Sequence, residues 1–116
     1  MTHDPVDPVL LDRLADVAVR VGLNLQPGQD LVLTAPTAAL PLVRRVAAAA
    51  YRAGAGVVTP ILSDPEVTLA RFEHADDASF DQAAGWLYDG MAQAYAANAA
   101  RMAIVGDDPM LLAEQD

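Results

Sequence analysis

The sequence contains no cysteine and no lysine, only two histidines, and aromatic residues at just 5%. Without cysteine there is no disulfide, thiolate metal site or cysteine nucleophile. Without lysine there is no Walker-type phosphate loop, and no GxSxG elbow for a serine nucleophile occurs either. Positive charge is scarce: 16 acids face 7 arginines, giving a formal charge of -9. A phosphate backbone would be repelled, so nucleic acid is excluded as a partner. No basic run suits an anionic membrane surface, and no apolar run approaches the ~20 residues that span a bilayer. The opening MTHDPVDPVL is acidic and lacks the basic and apolar blocks of a signal peptide. The expectation is a soluble, cytoplasmic protein.

What the chain does have is apolar mass. Hydrophobic residues make up 53% of its 116 positions, with alanine dominant, enough for one domain with a closely packed core. Asp7 and Pro8 form a helix start, Asp as cap and Pro where a missing N–H costs nothing. Leu10, Leu14, Val17, Ala18 and Val21 then follow helical spacing, with Asp16 and Arg20 paired four apart and Gly22 ending the helix through a positive φ. GLNLQPGQDLVLTAP, residues 22–36, holds a Pro27-Gly28 turn and the strand Leu31-Val32-Leu33. A second helix is expected over 38–53, with Leu42, Val43, Val46, Ala47 and Ala50 on one side. A second strand is expected over 56–62, where Pro60 indicates an edge or a bulge.

Ser63-Asp64-Pro65-Glu66 reads as another helix start, for a helix running to His74. A further helix over 79–99 has a face of Phe80, Ala84, Leu87, Met91 and Ala94, weakened by Gly85 and Gly90. The third strand is expected over 102–105. Gly106-Asp107-Asp108-Pro109 repeats the helix-start chemistry, and Met110, Leu111 and Leu112 begin a helix that the chain does not complete. Alternation of this kind defines an α/β fold: a small, mainly parallel sheet of about three strands flanked by helices. It is one domain over 1–116, with the fold expected to continue beyond the last residue.

Few residues offer chemistry. His3 and His74 have no partner at metal-ligand spacing and read as surface histidines. Ala53-Gly54-Ala55-Gly56 follows a helix and opens a strand, which makes it a helix C-cap and not a dinucleotide loop. In a parallel sheet, ligands bind beyond the carboxyl ends of the strands. Those ends carry Thr34 and Thr37, Ser63 and Asp64, and Asp107 and Asp108, which should converge on one edge as the wall of a cleft. Capping explains Thr37, Ser63 or Asp64, and Asp107 or Asp108 without a cleft, and is the favoured reading of them. Glu66 and Glu73 read as solvated helix acids.

VGLNLQPGQDLVLTAP, PLVRRVAAAAYRAGAGVV, SDPEVTLARFEHA and the later VGDDP followed by LL resemble, in order and spacing, the opening blocks of a known family. It comprises the metal-dependent aminopeptidases of the thermophilic type, the aminopeptidase T, S and PepS group. The resemblance implies a larger homodimeric enzyme that removes residues from peptide N-termini with two divalent metal ions, typically cobalt or zinc. The ions are held by Glu, His, Asp and Tyr side chains in the later part of family members. This chain resembles the first quarter to third, so no catalytic residue and no metal ligand carries over onto it. The implied role is an N-terminal scaffold domain, inactive alone, with a peptide as the parent's substrate. The alternative is a free-standing α/β binding or interaction module.

Overall fold

The structure, a computed structural model, describes residues 7–105, apart from the side chains of Phe80 and Asp81. Helix α1, Pro8–Val17, starts as its sequence dictates: the Asp7 carboxylate accepts a hydrogen bond of 2.9 Å from the Val9 N–H. The buried stripe is Leu11, Ala15 and Val19, one residue on from the expected one. Leu10, Leu14 and Ala18 flank it half-buried, while Val17 and Val21 face outward. Small residues set this rotation. Ala15 packs in one core cluster with Ala49 and Ala50 of the second helix, and the absence of bulk there lets two helix axes approach closely.

A single π turn, Ala18–Gly22, ends the segment, with the Leu23 N–H donating to the Ala18 carbonyl at 2.8 Å. The positive φ expected of Gly22 falls instead on Asn24, at 51°. Asparagine tolerates the left-handed region because its short amide can bond locally. The Pro27-Gly28 turn forms as expected, with Gly28 at φ 80° and Gln29 N–H donating to the Gln26 carbonyl at 3.0 Å.

Strand β1, Leu31–Pro36, is the centre of a parallel three-stranded sheet in the order β2-β1-β3. Its neighbours are β2, Val58–Ser63, and β3, Ala100–Ala103, with Leu31 opposite Val58 on one side and Ala100 on the other. Pro60 therefore sits on an edge strand, where its missing N–H interrupts no central ladder. β3 begins two residues earlier than the sequence pattern indicates.

A 3-10 turn, Thr37–Ala39, leads into α2, Leu40–Arg52, whose Val43, Val46, Ala49 and Ala50 are buried. Leu31, Leu33 and Ala35 meet them from the sheet, together with Ala15, Val19 and Leu25. This single apolar layer is the core of the described residues. Across its top, Asp12 pairs with Arg45 at 3.3 Å and Asp16 with Arg20 at 3.5 Å.

Gly54 closes α2 with φ 96°, and the Ala55 N–H returns to the Ala50 carbonyl at 2.9 Å, a helix C-cap as the sequence indicates. The stretch then docks onto the Pro27-Gly28 turn. Gly28 N–H donates to the Gly54 carbonyl at 2.7 Å, and Gly56 N–H to the Gln29 carbonyl at 2.9 Å. Gly56 is required by this approach: a Cβ there would lie 2.9 Å from the Gly28 carbonyl oxygen and closer still to the Asp30 carboxylate.

Helix α3, Pro65–His74, and helix α4, Gly85–Ala96, bury none of their described side chains. The continuous helix expected over 79–99 does not form. A 3-10 turn covers Asp77–Asp81, Gln82 is extended, and α4 begins only at Gly85. The break lies at Gln82, whose ψ of 144° leaves the helical region, and the Arg71 guanidinium braces the connection by donating to the carbonyls of Ser79 and Gln82, each at 2.9 Å.

Candidate functional site

The carboxyl ends of β1 and β2 lie side by side, Thr34 opposite Ile61 and Pro36 opposite Ser63. β3 stops earlier, but its continuation stays attached: the Ile104 N–H donates to the Thr34 carbonyl at 2.8 Å. Thr34, Ser63 and Val105 thus contribute to the rim of one open hollow of about 370 Å³. The walls are otherwise apolar, formed by residues such as Ala35, Ile61 and Ala103.

One residue beyond each strand stand Thr37 and Asp64. Asp64 is at the N-cap position of α3 in extended geometry, yet its side chain makes no hydrogen bond to that helix. Thr37 is not at an N-cap position: Pro36 precedes the 3-10 turn and Ala39 precedes α2. The two side chains turn towards each other, the Thr37 hydroxyl donating to the Asp64 carboxylate at 3.5 Å, a long and weak bond. The capping account of these two positions is therefore corrected: they bridge adjacent strand ends. Asp107 and Asp108 lie outside the described residues, as do Met110, Leu111, Leu112 and His3.

Four of the six strand-end residues are thus placed, two on a shared hollow and two in contact. They supply hydroxyls and one carboxylate, which can orient a polar ligand. At 3.5 Å the Thr37 hydroxyl lies outside the roughly 2.6–3.2 Å within which a carboxylate activates a nucleophile. Among the described residues, no three His, Asp or Glu side chains come together as a set that could hold a metal ion. His74 is exposed at the end of α3, with the Glu73 carboxylate beside it at 3.9 Å. The donor set of residues 7–105 does not fit a divalent-metal centre.

Asp30 is the functional surprise of the turn region, and its function is architectural. It is the one acid in residues 22–36, and its carboxylate accepts from the Val57 N–H at 2.8 Å, holding the start of β2 beside the start of β1. A single acid between a turn and a buried strand was the available signal.

A three-stranded parallel sheet with α1 and α2 on one face, polar strand ends and no assembled catalytic group among the described residues defines an open α/β unit. Its relatives define the rest. The profile of the thermophilic metalloproteases (M29) matches residues 9–116, and the chain belongs to this family. It is similar to aminopeptidase T of Thermus thermophilus, 46% identical over 102 residues, which cover 88% of this chain and 25% of that protein. It is also similar to aminopeptidase 2 of Geobacillus stearothermophilus, 38% identical over 106 residues, 91% of this chain and 26% of that protein. The solved structure of wild-type AmpT from Thermus thermophilus superimposes with a TM-score of 0.82 at 46% identity, over 87% of this chain and 25% of that one. The chain spans about a quarter of the length of these relatives.

Proposed function

We propose that the chain is the scaffold domain of a metal-dependent aminopeptidase, an enzyme that hydrolyses N-terminal residues from peptides. The observation that carries this is the 46% identity to a protein named aminopeptidase T over only a quarter of its length. The three quarters without a counterpart here supply the metal ligands, two divalent cations such as cobalt or zinc, and the water-activating chemistry that such ions provide. In the assembled enzyme, Thr34, Thr37, Ser63 and Asp64, with Asp107 and Asp108, form one wall of the substrate cleft. The location beyond the strand ends, where open α/β sheets bind ligands, supports that role. The assembled enzyme is cytoplasmic and homodimeric in this reading. Among the described residues no helix is long and apolar enough to cross a membrane.

The test is a hybrid in which this chain replaces the matched quarter of Thermus thermophilus aminopeptidase T. With cobalt present, the hybrid hydrolyses leucine p-nitroanilide, and the chain alone does not. A folded hybrid without activity, or turnover by the chain alone that survives repurification, overturns the proposal.

A further inference from the structure

The two edges of the sheet are finished differently. In a parallel sheet an edge strand turns every second backbone N–H and C=O away from its neighbour. On β2 the outward positions are Val58, Pro60 and Leu62, because the Val57 carbonyl faces β1 and accepts from the Leu31 N–H at 2.9 Å. The Val58 N–H is already engaged, donating to the Tyr51 hydroxyl at 3.0 Å. Pro60 has no N–H to offer. Leu62 alone keeps an outward donor.

β3 has no such protection. Ala100 and Ile104 donate to the Asp30 and Thr34 carbonyls at 2.7 and 2.8 Å, so Arg101, Ala103 and Val105 face away from β1. Among the described residues no strand pairs with that side of β3. The strand holds no proline, and its one charge does not guard the edge. The Arg101 guanidinium lies over the ring of Tyr95 on α4, 5.9 Å from its centroid. Natural sheets blunt their exposed edges, and an edge left open recruits another strand.

The chemistry of β3 suits a copy of itself. Between Asp89 and Asp107 the only charged residue is Arg101, in a chain of formal charge -9. Two copies meeting here bring no acids face to face. We propose that two copies of the chain pair antiparallel through β3, about a twofold axis at Ala103. This register sets Ala103 against its counterpart and Arg101 against Val105, so every outward backbone group of 101–105 finds a partner. The two Arg101 residues stay four positions apart along the pair, roughly 13 Å. The contact is isologous and closes as a dimer, not a fibre.

The same axis keeps both α1–α2 layers on one side of the joined sheet. Met102, which pairs with the buried Leu33, faces that side, as does Ile104. Both line an open apolar hollow of about 450 Å³ with Leu14, Leu42 and Val46. In the pair, Met102 of one copy lies opposite Ile104 of the other, and the two hollows shield each other. The strand pair alone buries less than the ~1,000 Å² of a stable interface, so the dimer is weak and comes apart on dilution. It is a contact of this chain alone, separate from the assembled enzyme's dimer, and does not rest on the scaffold reading.

Sedimentation equilibrium of the 116-residue chain, up to about 1 mM, tests it, with backbone hydrogen exchange read at the same concentrations. The chain passes from monomer to dimer, and the amides of Arg101, Ala103 and Val105 gain protection as it does so, while that of Leu62 does not. Ala103→Pro removes an N–H that β1 does not use, and Val105→Lys places a charge on the edge. Each weakens the dimer about tenfold or more. Val105 is 71% exposed, so the lysine variant stays folded even if the proline does not. Leu62→Lys, on the blunted edge, leaves the dissociation constant unchanged. A chain that stays monomeric throughout overturns the proposal. So does a monomer with the three amides protected at every dilution, which would assign the edge to residues 106–116. A dimer that survives Val105→Lys, or that Leu62→Lys weakens equally, overturns it too.

Discussion

Asp30 holds Val57 by a charged hydrogen bond to its backbone, 2.8 Å from carboxylate to nitrogen, across the gap between the first turn and the second strand. The bond fixes the register in which Leu31 meets Val58. A neutral side chain of the same shape keeps an acceptor there, whereas alanine leaves the Val57 N–H to water. Asp30→Ala should therefore cost about 1–2 kcal/mol, below the upper range for charged bonds because the pair is exposed, and Asp30→Asn less. Urea denaturation of the three proteins checks this. Equal midpoints for Asp30→Ala and the parent would show that the sheet sets its own register.

Two aspartates occupy the N-cap positions of α-helices, at α1 and α3, and behave differently. Asp7 accepts from Val9, and Asp64 accepts nothing from α3. Asp7→Ala should lower stability by about 1 kcal/mol, the ordinary worth of a cap. Asp64→Ala should cost less than half of that. A larger loss at Asp64 than at Asp7 would mean that its side chain turns back onto α3 in solution.

Leu33 and Leu69 are the same residue in opposite settings, one fully buried in the central strand and one half-exposed on α3. Leu33→Ala should cost about 2–5 kcal/mol through lost burial and the cavity left behind. Leu69→Ala in the isolated chain should stay within about 0.5 kcal/mol. Thermal melts separate the two, and a comparable loss at Leu69 would place it in a core.

Calorimetric titration of the chain with zinc or cobalt should show no stoichiometric submicromolar site. The described residues offer His74 beside Glu73 and no third ligand. Tight binding at one ion per chain would reveal donors that residues 7–105 do not bring together.

Most of the architecture was legible because its signals are local. Asp7-Pro8, Pro27-Gly28 and Gly54 each act through their own backbone preferences, and each does so where its sequence placed it. Pro60 announced an edge strand for the same reason. The departures come from contacts between distant segments. The Arg71 guanidinium reaches carbonyls eight and eleven residues away and braces a non-helical connection where the apolar spacing looked continuous. α1 turns its Ala15 stripe inward because α2 offers Ala49 and Ala50, which no pattern within α1 reveals. Of the candidate site, the strand-end positions followed from the order of elements, since every parallel strand delivers its last residues to one edge. The turning of Asp64 towards Thr37 did not, because a cap and a cross-strand bridge use the same residue at the same position.

Strand β1 is interior in space and early in the chain. Residue 31 finds its first neighbour at residue 58 and its second at residue 100. Both pairings are parallel, so neither can form by a hairpin, and each waits for a crossover to be made. On the ribosome, β1 emerges with Leu31, Val32 and Leu33 and no strand to shelter them, until α2 and then β2 follow. The long sequence separation slows this closure relative to local helix formation. The central strand is thus translated first among the three, and its second edge is covered only once β3 has been made.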